Sequence, residues 1–137
     1  MRSKNNSENS YELSKRELDV MNVFWSKEGS VIASDIPKVN QSLSINTVQA
    51  VIKKLISKNY LKVDEIVYSG TVLTRSYLPI VSAEEYAKRQ IRTDASFLSK
   101  YANKLEVISA LLDSEEDEAQ LIADVEALLE KRKKKLK

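Results

Sequence analysis

Between Ser44 and Leu61 the chain reads SINTVQAVIKKLISKNYL, with Val48, Val51, Ile52 and Leu55 at i, i+3, i+4 and i+7. A 3.6-residue period puts these four on one face, so the spacing predicts an amphipathic helix with an apolar stripe facing a core. Ser44 is placed to cap its first turn. Asn59 is placed to end it, since asparagine tolerates the left-handed conformation of a C-terminal cap. The other side carries Asn46, Thr47, Gln49, Ala50, Lys53 and Lys54. Asn and Gln pair two-pronged with adenine, Thr and Ala meet the thymine methyl, and Lys reaches guanine or phosphate, which is the chemistry of a DNA recognition helix. A solvated helix in any small domain has a similar face, so the flanking segments must decide.

Upstream, Ser14-Lys15-Arg16-Glu17 has the form of a capping box, and Leu18, Met21, Val23, Phe24 and Trp25 supply the apolar content of a first helix ending near Ser26. Glu28-Gly29-Ser30 breaks it. A short second helix is predicted between Ile32 and Asn40, with Ile36 and Val39 inward. Pro37 fits it only in the first turn, so that helix starts at about Ser34. Gln41 to Leu43 is a tight connection into the Ser44 helix, as in a helix-turn-helix unit. Downstream, Tyr60 to Val67 and Val72 to Leu78 are strand-like, and Tyr68-Ser69-Gly70-Thr71 between them signals a β-hairpin. Three helices followed by such a hairpin describe a winged helix, whose third helix enters the major groove while the wing lies along the phosphate backbone. Lys62 and Arg75 in the hairpin are candidates for phosphate contacts, against the alternative that basic residues on exposed strands serve solubility.

Composition narrows the function. The chain has 137 residues, no Cys and no His, which removes disulfides, thiolate chemistry, structural zinc sites and every histidine-dependent catalytic arrangement. With two glycines it has no phosphate-cradling loop either, so no enzyme, metal or cofactor is expected. There is no apolar run of membrane-spanning length, and residues 1–10 are polar where a signal peptide needs an apolar region. That segment reads as a disordered tail, and the protein is expected in the cytoplasm. The net charge of +2 identifies no partner, but its distribution is uneven. Residues 1–80 hold 11 Lys or Arg against 8 Asp or Glu, and residues 81–137 hold 11 against 12.

The second part, 81–137, reads as helical, beyond a boundary at Ile80 to Ser82. Ser82-Ala83-Glu84-Glu85 resembles a capping box for a helix running to about Tyr101, with Tyr86, Ile91, Phe97 and Leu98 among its apolar positions. Lys104 to Leu112 is a short apolar segment. Ser114 with Glu115, Glu116 and Asp117 is expected to cap a last helix whose stripe is Leu121, Ile122, Val125, Leu128 and Leu129. The acids of Asp113 to Glu118 and the bases of Lys131 to Lys137 suit the two ends of that helix's dipole. These three helices, about 55 residues in all, make a poor independent core, so the second part is expected to complete its core with a symmetry mate through Tyr86, Phe97, Leu98 and the last stripe. A monomer with these helices folded back is the alternative.

YELSKRELDVMNVFWSKEGSV followed by SINTVQAVIKKLISKNYL and a hairpin ending in Tyr77-Leu78-Pro79 resembles the BlaI/MecI/CopY family, the penicillinase and methicillin-resistance repressors and their copper-responsive relatives. The likeness is strongest over 11–80 and rests on Leu18 to Trp25, the Ser-x-x-Thr-Val run at 44 to 48, Lys54-Leu55 and Leu61. It implies a dimeric winged-helix repressor that binds palindromic operators. In the resistance branch it also implies a membrane-bound sensor protease whose cut in the repressor is part of induction. Carried over residue by residue, Asn46, Thr47, Gln49, Ala50 and Lys53 match the groove-facing part of the family's recognition helix. Asn46 and Gln49 are then expected at base edges, and Ser44, Thr47, Lys53 and Lys54 at phosphate or mixed contacts. Two features depart from the family. The paired Cys-x-Cys motifs that hold Cu(I) are missing, and the Asn-Phe bond cut in the resistance branch is replaced by Ile108-Ser109-Ala110-Leu111-Leu112.

The expectation is a mainly α chain with a small β-hairpin: a tail over 1–10, a winged-helix DNA-binding domain over 11–80 and a helical dimerisation domain over 81–137. Its function is repression by a homodimer on double-stranded DNA, in the setting of antibiotic-resistance regulation. The competing readings are a winged-helix regulator that answers to a small ligand, and a winged-helix protein-interaction module with no DNA role.

Overall fold

The computed structural model describes residues 12–136, so the tail expected over 1–10 and Lys137 of the basic run lie outside the described residues. The chain divides between Gln90 and Ile91 into two compact units. It is mostly helical with one small antiparallel sheet, the winged-helix class expected from the sequence.

In the first unit, helix α1 (Lys15–Ser26) starts with the expected capping box. The Glu17 N–H donates to Ser14 Oγ at 3.2 Å, and the Ser14 N–H donates to Glu17 Oε1 at 2.8 Å. Within the segment expected as a second helix, Ile32 instead joins Val31 in strand β1 (Val31–Ile32), and the helical part is a 3-10 turn (Ala33–Asp35) followed by a single turn of helix α2 (Ile36–Val39), with Pro37 in that first turn, Ile36 buried as expected and Val39 exposed rather than inward. The cause is tertiary: β-branched Val31 and Ile32 pair with Tyr77 and Ser76 of strand β3, and local helical spacing cannot reveal such a partner.

Helix α3 (Ile45–Ser57) ends as expected at Asn59, whose φ is 64°. The Asn59 N–H donates to the Ile56 carbonyl at 3.0 Å and the Tyr60 N–H to that of Leu55 at 2.9 Å, the paired bonds of a Schellman cap. Strands β2 (Leu61–Ser69) and β3 (Val72–Pro79) form the hairpin, and the sheet order is β1-β3-β2. Asp64 and Glu65 together face Ser76 in a bulge between the Val63 and Ile66 registers. The Ser76 hydroxyl accepts from the Glu65 N–H at 3.3 Å and donates to the Glu65 carbonyl at 3.2 Å, which satisfies the irregular backbone. The core joins Phe24 and Met21 of α1, Ile36, Leu43, four residues of α3, Tyr60 and Leu61.

That core continues past the hairpin. Val81 is buried, and the Trp25 indole N–H donates to its carbonyl at 3.0 Å. Helix α4 (Ala83–Leu98) is capped by Ser82, whose hydroxyl accepts from the Glu85 N–H at 3.0 Å. Tyr86 in its first turn packs on the core, with ring centroids 5.5 Å from Trp25 and 6.4 Å from Tyr60. Trp25 and Tyr60 are thus core aromatics.

The second unit contains helices α5 (Lys104–Asp113) and α6 (Glu118–Leu136). Asn103 and Glu106 form a capping box at the start of α5. The cap of α6 is Asp117, which accepts from the Gln120 N–H at 3.1 Å, and not Ser114. Ser114 is the C-terminal cap of α5, where its hydroxyl donates to the Leu111 carbonyl at 2.8 Å. An N-cap must directly precede the first helical residue, and α6 begins only at Glu118. None of the described residues of α4, α5 or α6 is buried.

Candidate nucleic-acid interface

Helix α3 is held to the first unit by Val48, Val51, Ile52 and Leu55, all buried. The same periodicity turns Asn46, Gln49, Ala50, Lys53 and Lys54 to the exposed side. Asn46, Gln49 or Ala50, and Lys53 follow one another at three- and four-residue steps, so they form one stripe along the helix. Among the described residues no hydrogen bond or ion pair engages the side chains of Asn46, Gln49, Lys53 or Lys54. Ser44 and Thr47 differ from these four. The Thr47 N–H donates to Ser44 Oγ at 3.2 Å and the Ser44 hydroxyl donates to Thr47 Oγ1 at 2.9 Å, so both complete the N-terminal cap. They lie at the positive end of the helix dipole, beside whatever the stripe meets.

The angle of α3 is set by the turn before it. Asn40 Oδ1 accepts from the Ser42 N–H at 3.1 Å and from its hydroxyl at 2.7 Å, the Leu43 N–H donates to the Asn40 carbonyl at 3.1 Å, and Leu43 is buried. This is an Asx turn, for which Asn-x-Ser was the local signal. At the other end Lys58, the C-cap of α3, reaches Glu17 Oε1 at 2.7 Å and the Glu12 carbonyl at 2.9 Å. Glu17 is buried and therefore costly to ionise. The Lys58 ammonium and the hydrogen bonds from Ser14 outweigh that cost and hold its carboxyl below the ordinary value of 4.5. The recognition-type helix is therefore fastened to the start of α1 by an ion pair between residues 41 positions apart, which no local motif announces.

Register separates the two wing cations. Arg75 lies opposite Ile66, on the face that Tyr77 shares with Val63, whereas Lys62 lies opposite Leu78 on the other face. Both are exposed, yet they cannot grip one run of phosphates together. Asp64 and Glu65 balance their charge within the hairpin. The outer hairpin instead exposes Ile66, Tyr68, Val72 and Leu73, apolar positions that attention to charge alone passes over.

Of the residues expected to bind a second copy, Tyr86 is engaged with Trp25 and Tyr60. Phe97 and Leu98, and Ile122, Leu128 and Leu129, are exposed large apolar side chains, while Leu121 and Val125 are half-buried. Among the described residues no group of three or more acids converges as a metal site, and no helix is long and apolar enough to cross a membrane.

The family model described as Penicillinase repressor matches residues 13–131. No curated protein matches the chain by sequence. Among solved structures, the chain is similar to a possible transcriptional regulator from Methanosarcina mazei Go1, at 20% identity over 73% of this chain and 85% of that one, with a TM-score of 0.48. It is also similar to a MarR family regulator from Neisseria meningitidis, at 19% identity over 98% and 87% of the two chains and a TM-score of 0.42. A third is FabT of Streptococcus pneumoniae in complex with DNA, at 16% identity over 92% and 79% and a TM-score of 0.41.

Proposed function

Because the chain belongs to the penicillinase repressor family of DNA-binding transcriptional regulators, we propose that it represses by occupying a palindromic operator as a homodimer, with α3 of each protomer in the major groove. The observation that carries this reading is the unengaged stripe of Asn46, Gln49, Ala50 and Lys53 on a helix whose other face is locked into a core. Asn46 and Gln49 read base edges. Ser44, Thr47, Lys53 and Lys54 bear on phosphates, and Lys62 and Arg75 add contacts from separate faces of the wing. Residues 11–80 act on DNA and residues 81–137 pair the protomers. The exposed Phe97, Leu98, Ile122, Leu128 and Leu129 support pairing, since an apolar surface of this extent on a small unit asks for cover.

The setting is cytoplasmic and the effect is control of resistance genes. A membrane-bound sensor protease is the partner that releases the operator. Ile108 to Leu112 are helical within α5, so a cut there requires that turn to open first. Footprinting on the DNA upstream of the gene tests the central claim. Protection of two half-sites about one helical turn or a multiple of it apart, roughly 34–36 Å, is expected. No protected palindrome, or affinity indifferent to salt, would sink it.

A further inference from the structure

Helix α6 holds information on how two copies meet. Counted outward from Val125, the sequence from Glu115 to Lys135 mirrors itself in hydropathy and inverts in charge at most positions, Ala119 with Lys131 and Gln120 with Glu130 excepted. Leu121 mirrors Leu129 and Ile122 mirrors Leu128, while Glu118 mirrors Arg132 and the acids at 115 to 117 mirror the lysines at 133 to 135. Only the pair next to the centre, Asp124 and Glu126, sets like charges against each other. At about 100° per residue those two project to opposite flanks, whereas Glu118, Leu121, Leu129 and Arg132 all lie within about 40° of Val125. The helix dipole accounts for acids at the start and bases at the end. It does not account for a carboxylate and a guanidinium in line with an apolar stripe, equally far from its middle. Among the described residues neither Glu118 nor Arg132 has an ion-pair partner in its own chain. Ile122, Leu128 and Leu129 stay exposed although α6 packs on α5.

Resting on the dimer proposed above, we infer that α6 docks antiparallel on α6 of a second copy of this chain, with the two-fold axis at Val125 and a Glu118–Arg132 pair closing each end. A two-fold axis across an antiparallel pair brings each residue level with its mirror image in the other helix, so this sequence complements itself. A parallel pair would stack acids on acids at one end and bases on bases at the other, which is repulsive at both. The helix spans 19 residues, about 28 Å, and the two closing pairs stand about 21 Å apart, so both fit along it.

Sedimentation of the full chain with Glu118→Arg and with Arg132→Glu tests the register. Each variant alone puts like charges at both ends, and its dimer dissociation constant is expected to rise about tenfold or more. Mixed in equal amounts the two become complementary and form a heterodimer of near-native affinity, and the double variant recovers self-association. Single variants that dimerise as tightly as the unchanged chain, or a mixture that yields no heterodimer, overturn the register and leave the dimer standing. An unchanged chain that is monomeric at micromolar concentration overturns the dimer itself. Because the chain has no cysteine, Val125→Cys supplies a second measure. On mild oxidation it is expected to cross-link to its own copy, while Glu118→Cys, with its two copies about 21 Å apart, is not. Equal cross-linking of both would mean a parallel pair.

Discussion

Glu17 joins three levels of the molecule in one carboxylate: it caps α1, it is buried, and it holds the Lys58 ammonium at the foot of α3. Its lowered pKa fixes the sign of a pH effect. The unfolded chain binds the proton more readily, so the stabilisation is complete above the ordinary value of 4.5 and is lost as pH falls through the lower folded value. Acid titration of thermal stability is expected to show this loss, and Glu17→Gln to be less stable at neutral pH with a flatter acid limb. An unchanged acid limb would mean that the pair contributes nothing. On the opposite side of α3, Gln49→Ala is expected to relax preference at one base position by roughly 1–3 kcal/mol, and Lys53→Ala to weaken all sequences alike and lower the salt slope by about one. Competition among operator variants separates the two roles, and equal weakening of every sequence by Gln49→Ala would make Gln49 a positioning contact. Both stripe residues were legible in the sequence, because helical phase depends only on spacing. The Glu17–Lys58 pair was not, because nothing local relates residues so far apart.

Helix α3 owes its limits to its own sequence. Ser44 satisfies its first backbone donors, and Asn59 takes the left-handed conformation that ends it. Ser44→Ala is therefore expected to cost about 1 kcal/mol in thermal or denaturant unfolding. Leu55→Ala, which opens a void beneath the same helix, is expected to cost about 2–5 kcal/mol. A loss from Leu55→Ala no larger than that from Ser44→Ala would mean the apolar face is not what seats α3. Other elements were less legible. Val31 and Ile32 carry no alternation of their own and become a strand only because β3 lies alongside. The start of α6 lies three residues beyond the one Ser114 would cap, because Ser114 can either close one helix or open the next, and the length of α5 decides between them.

For the molecule as a whole, the two units differ in how their apolar residues are used. The first closes its core within one chain, reaching past the hairpin to Val81 and Tyr86. The second buries none of its described residues and leaves Phe97, Leu128 and Leu129 exposed. Operator affinity is expected to fall with dilution below the dimer dissociation constant as well as with rising salt. Gel shifts at fixed salt and falling protein concentration check this, and affinity independent of dilution while sedimentation shows monomer would contradict paired binding. By itself the sequence determined what spacing and local chemistry encode: the caps, the buried and exposed faces of α3, the hairpin, and the charge-inverted symmetry of α6. Only the tertiary structure decided the β1 pairing, the Glu17–Lys58 fastening, the separation of Lys62 from Arg75 and the use of Tyr86 in the first core. Each of these depends on which distant segment lies opposite, and periodicity along one segment holds no information about that.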